Sequence, residues 1–368
     1  MRKVAVVFGG KSCENEISVL TGVFVTKVME GSNYEAIPVY VHRDGTWYVS
    51  PKLKELSTFQ KGKFDGLERV ILYGKALYAV QPQKRRMKKL TDLDVMLNCC
   101  HGGVGEGGGL AALAAWNGIP FASPDMTASA VFMDKDFTKT VMQGLGVPVV
   151  EFIRVSERDY EKRGAFLLKS IQRRIKYPVI IKPARLGSSI GIVKAENEEE
   201  AKRGIEEAFA LDERLIIERY LPDKTDVNCA AYALNGEIFV SEPESAFSGG
   251  VYSFEEKYVK RKKDGEKPKG EKLQSEVAEK IRSYTKTIYK RTQMQGVVRM
   301  DFLVSGGEVY LCEVNTVPGS LAYYLFCERM IEARQFFCDL LTDAIERNKK
   351  EKMPLTTGIL QEVTWQKK

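Results

Sequence analysis

Histidine is almost missing from this chain, with two among 368 residues, and its seven cysteines include no Cys-x-x-Cys pair. That excludes the common zinc frameworks. The cysteines (Cys13, Cys99, Cys100, Cys229, Cys312, Cys327 and Cys338) are odd in number and scattered, which predicts free thiols in a reducing compartment rather than a disulfide scaffold. No apolar run approaches the roughly 18 residues of a membrane span. The opening "MRKVAVVFGG" ends in Gly-Gly too early for a signal peptide. These absences set the expectation of a cytoplasmic protein without a membrane partner. A one-sided charge is missing too. Fifty-six basic against 49 acidic residues give +7, an excess too diffuse for nucleic acid, though it suits anionic substrates.

What remains is an ordinary α/β composition, 44% hydrophobic and 29% charged, long enough for two or three domains. "KVAVVF" (3–8) reads as a buried strand followed by a Gly turn and a helix over about 17–29. With "AIPVYVH", "TWYV", "RVILYG", "LYAVQP" and a β-loop-α-β unit over 94–123, it predicts a mostly parallel, doubly wound first domain. A helix over 127–143 stops at Gly144 and Gly146. Strands then dominate, with an Asn235-Gly236 hairpin signal. A last helix is expected over about 321–349, and the basic stretch over 257–272 reads as a solvated loop.

Three segments resemble phosphate loops. Gly10-Lys11-Ser12 looks like the tail of a Walker A loop, but the glycine it needs five residues earlier is Ala5, inside a strand. "GVGEGG" (103–108) satisfies G-x-G-x-x-G between a strand and a helix, with Asp125 at a suitable distance. Against it, Glu106 would set a carboxylate beside a pyrophosphate. "KPARLGSS" (182–189) offers a lysine leaving a strand, a glycine and two hydroxyls. A tight turn would use the same residues.

The strongest chemistry lies over 299–315. Arg299 and Asp301 share a strand face, as do Glu313 and Asn315 on the next strand, and the "SGG" turn brings Asp301 near Glu313. Two carboxylates and an amide suit one or two Mg²⁺ ions completed by phosphates, with Mn²⁺ a possible substitute. Arg299 could stabilise developing negative charge. The alternative is a structural network in which Arg299 neutralises the acids.

These motifs, in order "GGKSCENEIS", "HGGVGEGG", "GIPFASPDMTASAVFMDK", "PVIIKPARLGSSIG", "IIERYL", "EEKY", "RMDF" and "EVNTVPG", resemble the D-alanine–D-alanine ligases of the ATP-grasp superfamily over about residues 1–330. The resemblance implies a three-domain ATP-grasp architecture: a Rossmann-like unit (1–124), a central unit (125–216) and a C-terminal unit (217–368) with a lid over about 246–272. It implies that Lys135 and Lys182 meet ATP phosphates, Glu218 the adenine side, Asp226 the ribose and Lys257 the γ-phosphate. Asp301, Glu313 and Asn315 become Mg²⁺ ligands, and Arg299 the stabiliser of the intermediate. Glu14 would hold the first amino acid's ammonium and join Ser188 and Tyr258 in a hydrogen-bonded trio, while His101 would sit near the substrate carboxylate. Lys257-Tyr258 is the pair expected of dipeptide-forming members. A homodimer is implied as well.

Two positions depart from the pattern. The family's Glu-Asp-Gly is Glu106-Gly107-Gly108 here. Where a serine usually holds the second amino acid's carboxylate, Tyr324 stands in "SLAYYL". The expected activity is therefore ATP-dependent joining of two D-alanines through an acyl phosphate. A ligase with a different second substrate, or one forming a D-alanyl ester, is the alternative. A non-catalytic nucleotide-binding protein is the third reading.

Overall fold

The structure is a computed structural model that describes residues 1–62, 64, 66–81, 86–245, 273–349 and 357–358. Lys257, Tyr258 and the expected lid lie outside the described residues.

Three sheets organise the chain. The first holds β1 (Arg2–Gly9), β2 (Tyr34–Val41), β3 (Trp47–Val49), β4 (Glu68–Tyr73), β5 (Ala76–Gln81), β6 (Arg86–Asp92) and β7 (Val95–Asn98), in the order β6-β5-β4-β3-β2-β1-β7. Only β1 pairs in parallel, with β2 and with β7; the remaining pairings are antiparallel. The expected mostly parallel sheet is thus mixed. Between β3 and β4 the chain passes a 3-10 turn (Pro51–Lys54) and a short helix (Leu56–Gln60) and still returns antiparallel, while from β4 to β6 the connections are too short for a crossover helix. β1 carries the pattern of a strand covered on both faces, with Val4 through Phe8 all at 0% exposure.

The second sheet, β10-β9-β11-β8, consists of β8 (Phe152–Ser156), β9 (Val179–Pro183), β10 (Val193–Ala195) and β11 (Arg214–Arg219), all antiparallel. The third holds β12 (Thr225–Leu234), β13 (Glu237–Val240), β14 (Glu244–Ser245), β15 (Val297–Ser305) and β16 (Glu308–Asn315) in the order β13-β12-β15-β16, with β14 also on β12. The Asn235-Gly236 turn joins β12 to β13 with φ of 55° and 85°, the left-handed pair that a two-residue hairpin requires.

Nine described α-helices cover these sheets: α1 (Asn15–Val28), α2 (Leu56–Gln60), α3 (Leu110–Trp116), α4 (Met126–Met133), α5 (Lys135–Leu145), α6 (Glu157–Arg174), α7 (Glu198–Phe209), α8 (Ser275–Arg291) and α9 (Met330–Lys349). The single helix expected over 127–143 is two. Asp134 leaves the helical conformation and its carboxylate accepts the Asp136 and Phe137 N–H groups, starting a new helix at Lys135. The last helix begins later than expected, because Ser320, Leu321 and Ala322 adopt left-handed φ of 50°, 54° and 50°. Phe336, Phe337, Leu340 and Leu341 of α9 join the same core as Val4, Val6 and Phe8 of β1. Each such side chain buried contributes about 1.5–3 kcal/mol.

Candidate active site

The end of β1 explains the glycine pair. A Cβ on Gly9 would stand 2.3 Å from the Val41 carbonyl oxygen, and Gly9 and Gly10 have φ of 95° and 99°. The chain can then turn sharply into Glu14, which is 8% exposed at the head of α1. The Ser188 hydroxyl donates to Glu14 Oε1. Two glycines make room for that carboxylate: a Cβ on Gly187 would lie 2.6 Å from Glu14 Oε2, and one on Gly102 2.8 Å. Two members of the expected trio are therefore joined.

Across the cleft lies the hairpin of β15 and β16. Asp301 and Glu313 are direct cross-strand partners, as are Arg299 and Asn315. Strict alternation from the Gly306-Gly307 turn would set Glu313 opposite Met300, which faces the core. A bulge at Cys312, where the register shifts, returns Glu313 and Asn315 to the face of Asp301. Arg299 grips Asp301 with two bonds, Nε to Oδ1 at 2.7 Å and Nη2 to Oδ2 at 2.9 Å, while Asn315 donates to Oδ2 at 3.1 Å. Its remaining Nη1 donates to the Tyr324 hydroxyl at 3.3 Å. Burial disfavours the Arg299 charge, yet Asp301 and the Tyr324 phenol outweigh it and hold the guanidinium firmly protonated.

The lysines come from α5 and β9. Lys135 donates to the Leu186 carbonyl at 2.5 Å and lies 3.7 Å from Glu313 Oε2. Lys182 on β9 and Glu218 on β11 are paired at 2.5 Å, and Lys139 holds the other Glu218 oxygen at 2.5 Å. Burial would raise the Glu218 carboxyl, but the two lysines overcome it and bring it to about 2. Lys182 stays charged against its own burial, with Cys312 and Glu218 favouring the cation. Lys139 was missed from the sequence. Its signal was its place one turn after Lys135 on an amphipathic helix. Asp226 lies farther along the same face of the third sheet, opposite Leu303, and its carboxylate is held by Lys224.

In the sequence, Glu106 counts against a dinucleotide and stands at the glutamate of the family's Glu-Asp-Gly. In the structure it lines the cleft with Glu14, His101, Lys135, Ser188 and Arg299. Burial pushes its carboxyl up to about 7, although the Gly102 and Val317 N–H groups oppose the rise. His101 is buried as well, and burial lowers its imidazole to about 4, so at neutral pH the ring is uncharged.

The hairpin's acceptors fit a divalent cation of the magnesium type. Asp301 and Glu313 are opposed on one face and partly exposed, at 18% and 26%, with an amide beside them. Among the described residues no group of three or more His, Cys, Asp or Glu side chains forms a closed metal cage. Such a partial shell suits an ion whose other ligands arrive with phosphate.

Comparison with known proteins agrees with this layout. The family described as D-ala D-ala ligase N-terminus matches residues 3–124, and D-ala D-ala ligase C-terminus matches 141–346. A D-alanine–D-alanine ligase of Caldicellulosiruptor bescii is 33% identical, the match covering 95% of this chain and 97% of that one. One from Thermosipho melanesiensis is 30% identical, over 98% and 99%. Among solved structures, the D-alanine–D-alanine ligase of Helicobacter pylori is similar with a TM-score of 0.77 at 25% identity, covering 93% and 98%. The VanG D-Ala:D-Ser ligase of Enterococcus faecalis is similar at 0.74 and 25%, covering 94% and 99%. With two opposed antiparallel sheets behind an N-terminal α/β unit, this chain belongs to the D-alanine–D-alanine ligase family, on the ATP-grasp fold.

Proposed function

We propose that the protein joins two D-alanines in an ATP- and Mg²⁺-dependent reaction, by way of an acyl phosphate. The observation that carries this reading is the convergence of Glu14, Ser188, Lys135 and Arg299 on one cleft, with Arg299 bonded to Asp301. In this reading Glu14 binds the ammonium of the first amino acid, directing its carboxylate toward the hairpin. Lys135, Lys182 and the partner outside the described residues, Lys257, hold the phosphates. Val150, Leu221 and Leu303 form an apolar cluster, with Tyr310 and Cys312 packed against it; Cys312 is 3.7 Å from Lys182, and this supports an adenine slot bounded by Glu218, with Asp226 toward the ribose. Asp301, Glu313 and Asn315 would hold magnesium, whose charge lowers the cost of bringing a carboxylate against phosphate. Arg299 stabilises negative charge on the carbonyl oxygen when the second amine attacks. Ser188 and Tyr258 keep Glu14 oriented, and exclusion of water protects the acyl phosphate.

The same reading divides the chain at 1–124, 125–216 and 217–368. It makes the protein a cytoplasmic, homodimeric enzyme of peptidoglycan precursor synthesis. The test is phosphate release from ATP and Mg²⁺ with D-alanine as sole amino acid, and identification of the product by mass. ADP, phosphate and the dipeptide are expected together; no D-alanine-dependent turnover would overturn the proposal. One observation favours a second reading. Tyr324 occupies Arg299 Nη1 with its hydroxyl, so the second site could take another acceptor. D-Alanine-dependent phosphate release without dipeptide, followed by a survey of D-amino acids and hydroxy acids, would establish it.

A further inference from the structure

Three buried groups of the N-terminal unit have no part in the chemistry above, and all of them grip one segment of the C-terminal unit. Thr21 of α1, 1% exposed, receives the Ser320 N–H at 3.1 Å and faces His101 Nε2 at 2.8 Å. A threonine hydroxyl has a single proton. The hydroxyl can accept from Ser320 and donate to Nε2, an arrangement that goes with an imidazole proton on Nδ1. The ring's other partner is the Val317 backbone. Both nitrogens of His101 are thereby committed to protein. Glu106 completes the grip: Oε1 accepts the Val317 N–H at 3.2 Å and faces the Thr316 hydroxyl at 3.4 Å, and Oε2 accepts the Gly102 N–H at 2.7 Å.

The gripped segment has reason to need it. Ser320, Leu321 and Ala322 are three consecutive left-handed residues, none of them glycine, a conformation that costs L-residues roughly 1–2 kcal/mol each. This turn delivers the Tyr324 hydroxyl to Arg299. Left to itself the segment would relax, and Tyr324 would leave the cleft.

We infer that Thr21, His101 and Glu106 are positioning residues that lock the Thr316–Ala322 turn, and so fix the wall against which the second amino acid is held. His101 acts through this turn and not by contact with a substrate carboxylate. The inference rests on the ligase reading for its kinetic test and stands apart from it structurally.

The experiment compares wild type with Thr21→Val and Thr21→Ser. Valine keeps the volume and removes both bonds; serine restores the hydroxyl. D-Alanine dependence of dipeptide formation is fitted for two sites, alongside the KM for ATP. Loss of a buried hydrogen bond predicts about a tenfold higher second-site KM in Thr21→Val, with the ATP KM and first-site KM unchanged and recovery in Thr21→Ser. Amide hydrogen exchange across 316–324, without substrates, is expected to accelerate in Thr21→Val alone. Equal damage to every KM, no effect on the second site, or no rescue by serine would overturn the inference. If Thr21→Val does not fold, Glu106→Gln takes its place with the same expected split. If wild type makes no dipeptide, the ligase reading fails by itself. The exchange rates then decide this one, and unchanged rates would overturn it.

Discussion

At the scale of single residues, His101 and Glu106 are opposite cases of the same cost. Each is a titratable group taken out of water, and each responds by preferring its neutral form. Glu106 rises from an ordinary 4.5 to about 7, so its contribution to stability is complete below 4.5 and is lost as pH rises toward 7. His101 falls from 6.5 to about 4, so its contribution is complete above 6.5 and is lost as pH drops toward 4. Between 4.5 and 6.5 the two slopes oppose each other at about 1.4 kcal/mol per pH unit, and wild type gains or loses little from the pair. Removing either should expose the other. Relative to wild type, Glu106→Gln should gain stability with rising pH over about 4.5–7, and His101→Asn should lose it over about 4–6.5. Urea unfolding at a series of pH values measures both, and parallel curves for all three proteins would refute the assignment. Neither shift was legible in the sequence, where burial of a lone histidine or glutamate has no signature. Lys139 was hidden for a related reason. A lysine on a helix normally reads as solvated, and only the position of Glu218 makes it a partner.

Elements were easier to read where the chain is locally regular. The β15–β16 hairpin, its turn and the shared face within each of the pairs Arg299/Asp301 and Glu313/Asn315 follow from i, i+2 spacing, and the closeness of Asp301 to Glu313 from the turn. The bulge that makes the pairing possible does not, because an extra residue leaves no mark on a pattern of alternating side chains. The break in the 127–143 helix was carried by an ordinary capping residue, Asp134, inside a run that otherwise favours helix. Two glycines separate architecture from chemistry at this scale. Gly307, in the hairpin turn, has φ of 80° and open space around it. Gly307→Ala should cost about 1 kcal/mol of stability and leave the activity of folded protein unchanged. Gly187 lacks positive φ, but a Cβ there would meet the flexible end of Glu14 at 2.6 Å. Gly187→Ala should keep the melting temperature and lose most of the turnover, since Glu14 can move aside only by leaving Ser188. A melting loss in the second variant, or an activity loss in the first, would show that these roles are misassigned.

For the whole molecule, the order of units came from linked motifs, whereas the way the chain closes on itself could not. The hydrophobic face of α9 predicts that the helix is buried and says nothing about which sheet receives it. In the structure Phe337 stands edge-on to Phe24 of α1 with centroids 6.2 Å apart, and Arg334 donates to the Val28 carbonyl at 2.9 Å. Thr342 is 3.0 Å from the Tyr34 hydroxyl on β2. A chain ending at Glu328 should therefore lose the cooperative unfolding of the N-terminal sheet and bind a hydrophobic dye, as followed by circular dichroism and fluorescence. Retained cooperativity without dye binding would mean that the sheet is self-sufficient.

That closure also has a consequence in time. During synthesis α1 emerges long before α9, so the surface that α9 covers must wait for it. At 5–20 residues per second the wait lasts roughly a quarter of a minute to a minute. Through that interval Phe24 and the Val28 carbonyl of α1, which α9 later meets, stay open to whatever else is in the cell. The yield of folded protein should then depend on ribosome-associated holding factors more than the stability of the finished molecule would suggest.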